Sequence, residues 1–217
     1  MIPITKSDGQ TFQPLLEAAK QRGKEGDANA YRTSPIFDRI KQDFFGKCYL
    51  CEDDEPTAVE IDHFQPHRGD LNKKFDWNNL FYACHHCNGV KGVSWPLLNC
   101  TNPDHQIWES LEIRFKPFPK ATVEVRLSPN STKPVEGENT RGLLEKIFEG
   151  KDATPIQRVN AESLRKKINR VYGAFQKALL QNDVGTVQEF IADQAPFAGI
   201  MRWVLKNDYP NFSNNQP

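Results

Sequence analysis

The sequence of 217 residues lacks a net charge, a long apolar run and an abundance of cysteine. Because 28 acidic residues balance 28 basic ones, overall charge gives no electrostatic footprint for nucleic acid, and attraction of a polyanion must come from local patches. A mean hydropathy of −0.66 excludes a membrane span. The opening residues MIPITKSDGQ contain no apolar core, so no signal peptide is predicted and the cytoplasm is the expected compartment.

Four of the five cysteines form two Cys-x-x-Cys pairs, Cys48 with Cys51 and Cys84 with Cys87, with 32 residues between the pairs. A two-residue gap lets both sulfurs of a pair face one ion at about 2.3 Å, and four thiolates leave no open coordination position. The spacing therefore predicts a structural zinc. Two disulfides are an alternative that would imply secretion, and a chance arrangement is another. Cys100 lies outside the spacing and is expected to be a small buried apolar side chain.

The segment between the pairs predicts a strand, a loop, a second strand and a helix. TAVEIDHF alternates and begins with β-branched residues, which indicates a strand ending near His63. LFYAC is a second short apolar strand, and HHCNGVKG is expected to begin a helix at about His86.

This order, with its bracketing cysteine pairs, resembles the zinc-stapled branch of the HNH nuclease family, which has the ββα-metal fold. The resemblance covers about a fifth of the chain, and the residues that carry it are Asp62-His63, Asn79, Asn88 and Lys91. It implies that Asp62 and Asn88 bind a catalytic Mg²⁺ or Mn²⁺ and that His63 is the general base. Asn79 would tie the loop that orients His63, and Lys91 would hold a substrate phosphate. Asn in the third motif position is a frequent variant of His.

The residue types also suit phosphodiester hydrolysis, which needs a nucleophile, a Lewis acid and help for the leaving oxygen. Asp62 and Asn88 offer hard oxygen atoms of the kind that Mg²⁺ prefers. His63 has an unperturbed pKa of about 6.5, so it can accept a proton from water near neutrality. Glu60, two residues before Asp62 on the same strand face, is expected to support the ligands from outside the coordination shell.

Each residue also has a purely structural alternative. His63 could be a satisfied core histidine, Asn79 could tie a turn and Asn88 could cap the helix. Lys91 could equally be a solvated charge. The alternative function is a non-catalytic zinc-stabilised adaptor or nucleic-acid-binding module. A zinc deaminase is disfavoured because the H-x-E pair is missing and Ala83 stands where its P-C-x-x-C motif needs proline.

The flanks complete an α+β fold, with N-terminal helices, a β-hairpin formed by LEIRF and TVEVRL, and a C-terminal helical region. We expect an N-terminal helical segment at 1–46 and the zinc-stapled nuclease core at 47–99. The hairpin and C-terminal helices, 100–217, are expected to pack on the core or on a partner.

Two helices of the C-terminal region can be bounded. Thr140 and Gly150 are expected to begin and end the first, and the longest helix is expected from about Gln157 to Gln181. A basic face of this long helix is either solvated or a flank that binds phosphate or an acidic partner; it comprises Arg165, Lys166, Lys167, Arg170 and Lys177.

The whole chain resembles the HNH nuclease subunit of Septu-type and retron-associated anti-phage systems, the PtuB-like proteins. MIPITK, SWPLLN, ENTRGLLEKIFEG and PFAGIMRW carry this wider resemblance. It implies an effector endonuclease that cuts DNA, or else RNA, and that assembles with an ABC/SMC-like ATPase subunit (PtuA-like). In retron-associated systems a reverse transcriptase and its nucleic acid would join them. A neutral chain is compatible with a nuclease that relies on a partner to deliver substrate.

Overall fold

The computed structural model describes residues 1–25, 27 and 29–214, so the end of the predicted C-terminal region, 215–217, lies outside the described residues. The α-helices are α1 (Gln13–Lys24), α2 (Ser34–Asp43), α3 (Leu71–Lys74), α4 (His85–Lys91), α5 (Ile107–Ser110), α6 (Pro134–Glu149), α7 (Pro155–Leu180), α8 (Val184–Ile191), α9 (Ala198–Asp208) and α10 (Pro210–Asn214). The strands are β1 (Val59–His63), β2 (Leu80–Cys84), β3 (Leu111–Lys116) and β4 (Thr122–Leu127). Short 3-10 helices lie at Gly9–Phe12, Ala30–Arg32, Trp77–Asn79 and Pro103–His105.

Two strands and a helix between the cysteine pairs form the predicted ββα unit. β1 and β2 are antiparallel, with His63 opposite Leu80. α4 follows β2 directly, and Cys84 occupies its N-cap, where the sulfur accepts a hydrogen bond from the Cys87 backbone N–H at 3.3 Å. The predicted order of strand, loop, strand and helix is confirmed, with the helix beginning at His85.

An aromatic cluster packs the first cysteine pair and α2 against β2. The fully buried ring of Phe81 lies 5.3 Å from Phe44, 5.0 Å from Tyr49 and 4.9 Å from Phe64, measured between ring centroids. Aromatic pairs at such separations add stabilisation beyond the burial of apolar area. The cluster therefore holds the end of β1, where His63 lies, in a fixed position.

The first residues of the chain are bound to the start of β2. The Lys6 ammonium donates hydrogen bonds to the carbonyl oxygens of Trp77 and, at 2.9 Å, Leu80. The Trp77 indole N–H donates to the Ser7 carbonyl oxygen at 3.0 Å, and its ring stacks on Phe12 at 4.7 Å. Burial lowers the pKa of Lys6 to about 8, although nearby carboxylates favour its charged form. These contacts place the N-terminal helices beside the ββα unit.

The second sheet is the predicted hairpin. β3 and β4 pair antiparallel from Leu111 opposite Leu127 to Lys116 opposite Thr122, and alternate side chains of β3 are buried. α6 packs on β4.

The prediction for the start of α6 is wrong, whereas its end is confirmed. The helix begins at Pro134, six residues before Thr140, so Thr140 does not act as its cap. The Thr140 hydroxyl instead accepts a hydrogen bond from the Leu98 backbone N–H at 2.8 Å, which connects the helix to another segment. Gly150 ends the helix in the left-handed conformation, with φ of 68°, which favours glycine.

α7 begins two residues earlier than predicted, at Pro155, because Thr154 is its N-cap and forms a capping box with Gln157. Part of its basic face is structural. The buried Arg165 guanidinium donates to the Phe148 carbonyl oxygen. The Lys167 ammonium donates to Asp53 Oδ2 at 2.8 Å and to the Glu55 carbonyl oxygen at 2.7 Å. α7 is thereby attached to the loop that follows the first cysteine pair.

One hydrophobic cluster extends from Met1 to Leu205 and includes residues from all three predicted segments, so the boundaries at 46 and 99 stay predictions. No helix in the described part of the chain combines the length and apolar character that crossing a membrane requires. The predicted α+β class, with a ββα core, flanking helices and a hairpin, is confirmed.

Candidate active site

The two cysteine pairs meet at a single buried point. The sulfur atoms of Cys48, Cys51, Cys84 and Cys87 all lie within 4.8 Å of one another, and Cys51 and Cys84 are 3.9 Å apart. All four are free cysteines, contrary to the disulfide alternative. Tetrahedral coordination with metal–sulfur bonds of about 2.3 Å needs sulfur separations of about 3.8 Å, so the donor set fits one metal ion.

Backbone hydrogen bonds hold the first cysteine pair in its turn. The Glu52 N–H donates to the Cys48 carbonyl oxygen at 2.8 Å, and the Cys48 N–H donates to that of Asp53 at 3.1 Å. The Tyr49 N–H donates to the Tyr82 carbonyl oxygen at 3.0 Å and joins the turn to β2. This arrangement brings the first cysteine pair to the second, which begins at Cys84, the last residue of β2.

Cys100 takes no part in the cluster. It is buried, and burial raises the pKa of its thiol to about 12. The prediction that it acts as a small buried side chain is confirmed.

Three of the four predicted catalytic residues line a separate pocket, and Asn79 is not among its lining residues. Asp62, His63 and Asn88 line one cavity of about 380 Å³. Its other walls are formed by Tyr31, Arg32, Ile61, Pro66, His67, Arg68, Gly92 and Val93. The pocket thus combines hard oxygen donors and an imidazole with two guanidinium groups, in a chain with no net charge.

His63 is held so that one ring nitrogen remains an acceptor. Its Nε2 lies 3.0 Å from the Lys74 carbonyl oxygen, which can only accept, so Nε2 carries the proton and Nδ1 presents a lone pair. The ring packs edge-to-face against Tyr31 at 4.9 Å and His67 at 4.7 Å. Burial lowers the pKa of His63 to about 4, so the imidazole is neutral at physiological pH. It can therefore accept a proton.

Asn79 joins both ends of the loop around His63. Its Nδ2 donates to the carbonyl oxygens of Gln65 and Lys73, both at 2.9 Å, and its Oδ1 accepts from the Gln65 N–H at 2.6 Å. Lys73 precedes Lys74, whose carbonyl oxygen accepts the hydrogen bond from His63 Nε2–H. Asn79 therefore ties the loop, and its predicted role in orienting His63 stays a prediction.

Asp62 and Lys91 form a buried ion pair beneath the pocket. The Lys91 ammonium lies 3.1 Å from Asp62 Oδ1 and donates to the His63 carbonyl oxygen at 2.9 Å. The Tyr49 hydroxyl donates to Asp62 Oδ2 at 2.7 Å. Burial raises the pKa of Asp62, although Lys91 and Tyr49 favour the carboxylate. Lys91 is buried and is not among the pocket-lining residues, so its contact with a substrate phosphate stays a prediction.

Asn88 lies in the middle of α4, whose N-cap is Cys84, so the alternative that Asn88 caps the helix is wrong. Its Nδ2 donates to Glu60 on β1. Glu60 and Asp62 both contact α4, as expected for alternate residues on one face of a strand. The same Glu60 accepts from His85, and His86 contacts the Ile147 carbonyl oxygen, so the structure uses neither histidine to complete the cysteine cluster.

Several functional neighbours escape sequence reasoning. Tyr31 and Arg32 enter the pocket from the 3-10 helix before α2, well ahead of the cysteine-bracketed segment. Tyr49 lies inside the first cysteine pair, but nothing in the spacing shows that its hydroxyl reaches Asp62. These contacts join residues that are distant in the sequence, and no local pattern indicates them.

Comparison with known proteins matches the ββα unit to one family and parts of the chain to curated relatives. The family model for HNH endonuclease matches residues 48–94. A Septu protein PtuB from Bacillus thuringiensis is 37% identical over a match that covers 25% of this chain and 24% of that relative. A Septu protein PtuB from Bacillus mycoides (strain KBAB4) is 30% identical over 47% of this chain and 41% of that relative. No solved structure matches the chain significantly.

The chain spans less than half the length of these curated relatives. The family match nevertheless begins at the first cysteine of the cluster and ends just beyond α4, so it includes the whole ββα unit and every predicted ligand and catalytic residue. Residues 48–94 form an HNH endonuclease domain, within a chain similar to the Septu PtuB proteins.

Proposed function

We propose that this protein is a divalent-metal-dependent endonuclease that hydrolyses the phosphodiester bonds of nucleic acid, with DNA favoured over RNA. The observation that carries the proposal is the convergence of Asp62, His63 and Asn88 on one pocket in which His63 is neutral and its Nδ1 is a free acceptor. The cysteine cluster would hold a structural zinc, because four buried thiolates leave no position for substrate.

The second metal would be Mg²⁺ or Mn²⁺, held by Asp62 and Asn88. Carboxylate and amide oxygens suit such hard cations, and two protein ligands leave room for water and phosphate oxygens. When bound, the cation supplies Lewis-acid stabilisation of charge on the phosphate and the leaving oxygen. Arg32 and Arg68 at the pocket would balance the charge of the substrate backbone.

His63 would take a proton from a water molecule through Nδ1 while its Nε2–H remains bonded to Lys74. The water oxygen forms a bond to phosphorus as the bond between phosphorus and the 3′ oxygen breaks. An anionic phosphate in the pocket would raise the pKa of His63, because negative charge nearby favours the imidazolium. The base would thus strengthen when substrate is bound.

This reaction predicts the chemistry of the products. Incubation of the protein with plasmid DNA and Mg²⁺ should yield ends that carry 5′-phosphate and 3′-hydroxyl groups, since the 3′ oxygen is the leaving group. Ligation of the products by a DNA ligase without prior end repair, compared with ligation after phosphatase treatment, provides the measurement. Products that carry 3′-phosphate would contradict the proposed direction of attack.

The guanidinium groups at the pocket predict that binding of the substrate depends on salt concentration. Arg32 is exposed, lines the pocket and donates to the Tyr31 hydroxyl at 3.2 Å. In a His63→Ala background that prevents cutting, Arg32→Ala should lower the salt dependence of DNA binding, because one phosphate contact fewer reduces the slope of log affinity against log salt by about 0.9. Fluorescence anisotropy across a salt series measures this slope.

The control for this measurement is Arg114→Ala, which removes an exposed arginine of β3 that does not line the pocket. It should leave the slope unchanged. If Arg32→Ala in the His63→Ala background gives the same slope as His63→Ala alone, Arg32 makes no phosphate contact.

We further propose that the chain acts in anti-phage defence with an ABC/SMC-like ATPase subunit (PtuA-like), as its similarity to Septu PtuB proteins suggests. A retron reverse transcriptase and its nucleic acid would be additional partners in systems that contain them, and the cytoplasm would be the site of action. The neutral chain, with cationic groups confined to local patches, is compatible with a nuclease to which a partner delivers substrate. Copurification of the tagged chain with an ATPase encoded beside it tests this assembly.

A further inference from the structure

A carboxylate behind the pocket contacts one of the proposed metal ligands. Glu60 does not line the pocket, but its Oε2 accepts a hydrogen bond from Asn88 Nδ2. Its other oxygen, Oε1, lies 2.8 Å from His85 Nδ1. His85 and Asn88 are three residues apart and share one face of α4, so Glu60 joins β1 to this face through both oxygens.

The chemistry of this contact determines how the Asn88 amide is turned. An ionised carboxylate can only accept hydrogen bonds, so the NH₂ end of the amide must face Glu60 and Oδ1 must face away. In the part of the chain that the structure describes, no donor forms a hydrogen bond with Asn88 Oδ1. The two ends of an amide have nearly the same shape, so packing alone would scarcely distinguish the two orientations.

Both carboxylate oxygens of Glu60 have hydrogen-bond partners on α4. Partial burial opposes its charged form, but hydrogen bonds from His85 and Asn88, together with the charge of Arg32, hold the pKa of Glu60 below its usual range. A neutral amide at this position could also donate, and it would then permit the opposite orientation of Asn88.

We propose that Glu60 is a positioning residue that fixes the Asn88 amide with its carbonyl oxygen toward the catalytic divalent cation, and that His85 holds Glu60 in place. The inference rests on the proposed function, in which Asn88 is a metal ligand. Without this constraint the NH₂ group, which carries partial positive charge, could face the cation and weaken its binding. Loss of such outer-shell partners typically lowers metal affinity about 10–100-fold.

Glu60→Gln tests the proposal because it keeps the size of the side chain and removes the obligatory acceptor. Mn²⁺ affinity of the zinc-loaded protein, measured by electron paramagnetic resonance titration of free Mn²⁺, should fall about 10-fold. Zinc content and the thermal midpoint should stay close to those of the unsubstituted protein. Nuclease activity should shift to higher Mn²⁺ and recover at saturation, which loss of a base would not produce.

A reversed pair distinguishes positioning from a simple structural tie. In the double variant Glu60→Gln/Asn88→Asp, the glutamine amide donates to one aspartate oxygen and the other oxygen remains available for the cation. Mn²⁺ affinity should return to within about threefold of the unsubstituted value, on the same outer-shell reasoning. Asn88→Asp alone places two carboxylates in contact and should not reproduce this result, because like charges disfavour each other.

The matched control is Glu112→Gln, the same change at a half-buried position of β3 outside the pocket, which should leave Mn²⁺ affinity unchanged. Unchanged affinity in Glu60→Gln would overturn the positioning role while leaving the proposed nuclease intact. A loss that the reversed pair does not restore, accompanied by a lower thermal midpoint, would show that Glu60 is only a structural tie. An unsubstituted protein that neither binds Mn²⁺ nor cuts would instead overturn the proposed function, and the positioning role with it.

Discussion

His63→Ala is expected to lower the rate of nucleic-acid cleavage about 10²–10⁴-fold, the usual contribution of a positioned general base. The ring accepts no hydrogen bond at Nδ1 from any described residue and is fixed by Lys74 through Nε2. Its removal therefore takes away the proton acceptor without breaking the ββα unit. Conversion of supercoiled to nicked plasmid in Mg²⁺ measures the rate, with zinc content and thermal midpoint as checks on folding.

The control for His63 is His67→Ala, because His67 lines the same pocket while its Nδ1 is occupied by the Gly69 N–H at 3.1 Å. This variant should retain most of the activity. If His63→Ala cuts as fast as the unsubstituted protein, His63 is not the base. If the unsubstituted protein and a folded His63→Ala variant both fail to cut, the zinc-stabilised adaptor is favoured instead.

The pH dependence of cleavage by the unsubstituted protein provides a second test of His63 as the general base. Only the neutral imidazole accepts a proton, and burial lowers the pKa of His63 to about 4. The value of kcat/KM should therefore stay level from neutrality into mild acid and decline only as pH falls through that range. Protonation of Asp62, whose pKa burial raises, would add to the decline. A midpoint at the ordinary histidine value of about 6.5 would contradict the desolvated environment.

Cys84→Ser should abolish metal binding at the cysteine cluster and unfold the nuclease domain. Cys84 ends β2, contributes one of four clustered sulfurs and caps α4. Serine can replace the cap, since its oxygen accepts hydrogen bonds, but it cannot replace a soft thiolate ligand. Structural zinc binding is coupled to folding and is worth about 10–16 kcal/mol in small zinc-finger peptides. Zinc analysis and thermal unfolding measure the loss.

Cys100→Ser provides the matched control, since Cys100 is also buried but lies outside the cluster. It should keep its zinc and lose only about 1–3 kcal/mol of stability from burying a hydroxyl. Limited proteolysis should then cut the domain 48–94 in Cys84→Ser and spare it in Cys100→Ser. A soluble Cys84→Ser protein of unchanged stability would contradict the structural-zinc reading.

Local pattern was sufficient to predict the ββα unit. The bounds of β1 and β2 agree with the alternation of TAVEIDHF and the short apolar run LFYAC, and α4 begins within one residue of the expected position. Thr140 shows where such reasoning fails. Its residue type favours a helix cap, but its hydroxyl accepts a hydrogen bond from Leu98, a tertiary partner that no local pattern reveals. Sequence pattern also did not reveal that Lys167 of the basic face of α7 is bound to Asp53 across the fold, whereas Lys166, Arg170 and Lys177 of that face are exposed.

In the candidate site, too, local sequence pattern identified the residues but did not reveal their environments. Asp62, His63, Asn79 and Asn88 could be singled out in the sequence because their chemistry and order are local. The environment of each depended on distant segments: Tyr31 comes from the N-terminal segment, and burial of His63 sets its pKa. The sequence did not reveal that Lys91 pairs with Asp62, and its expected contact with a substrate phosphate stays a prediction.

The amino-acid sequence by itself determined which atoms can serve as soft and hard metal ligands and as a base, since residue type and short spacing set coordination chemistry and secondary structure. Only the tertiary structure decided how those atoms are used. Folding brings Glu60 to Asn88 and the Lys74 carbonyl oxygen to His63, and these contacts decide which end of an amide or imidazole faces the pocket. The physical reason is that orientation and ionisation depend on partners and burial, which arise only when distant segments pack together.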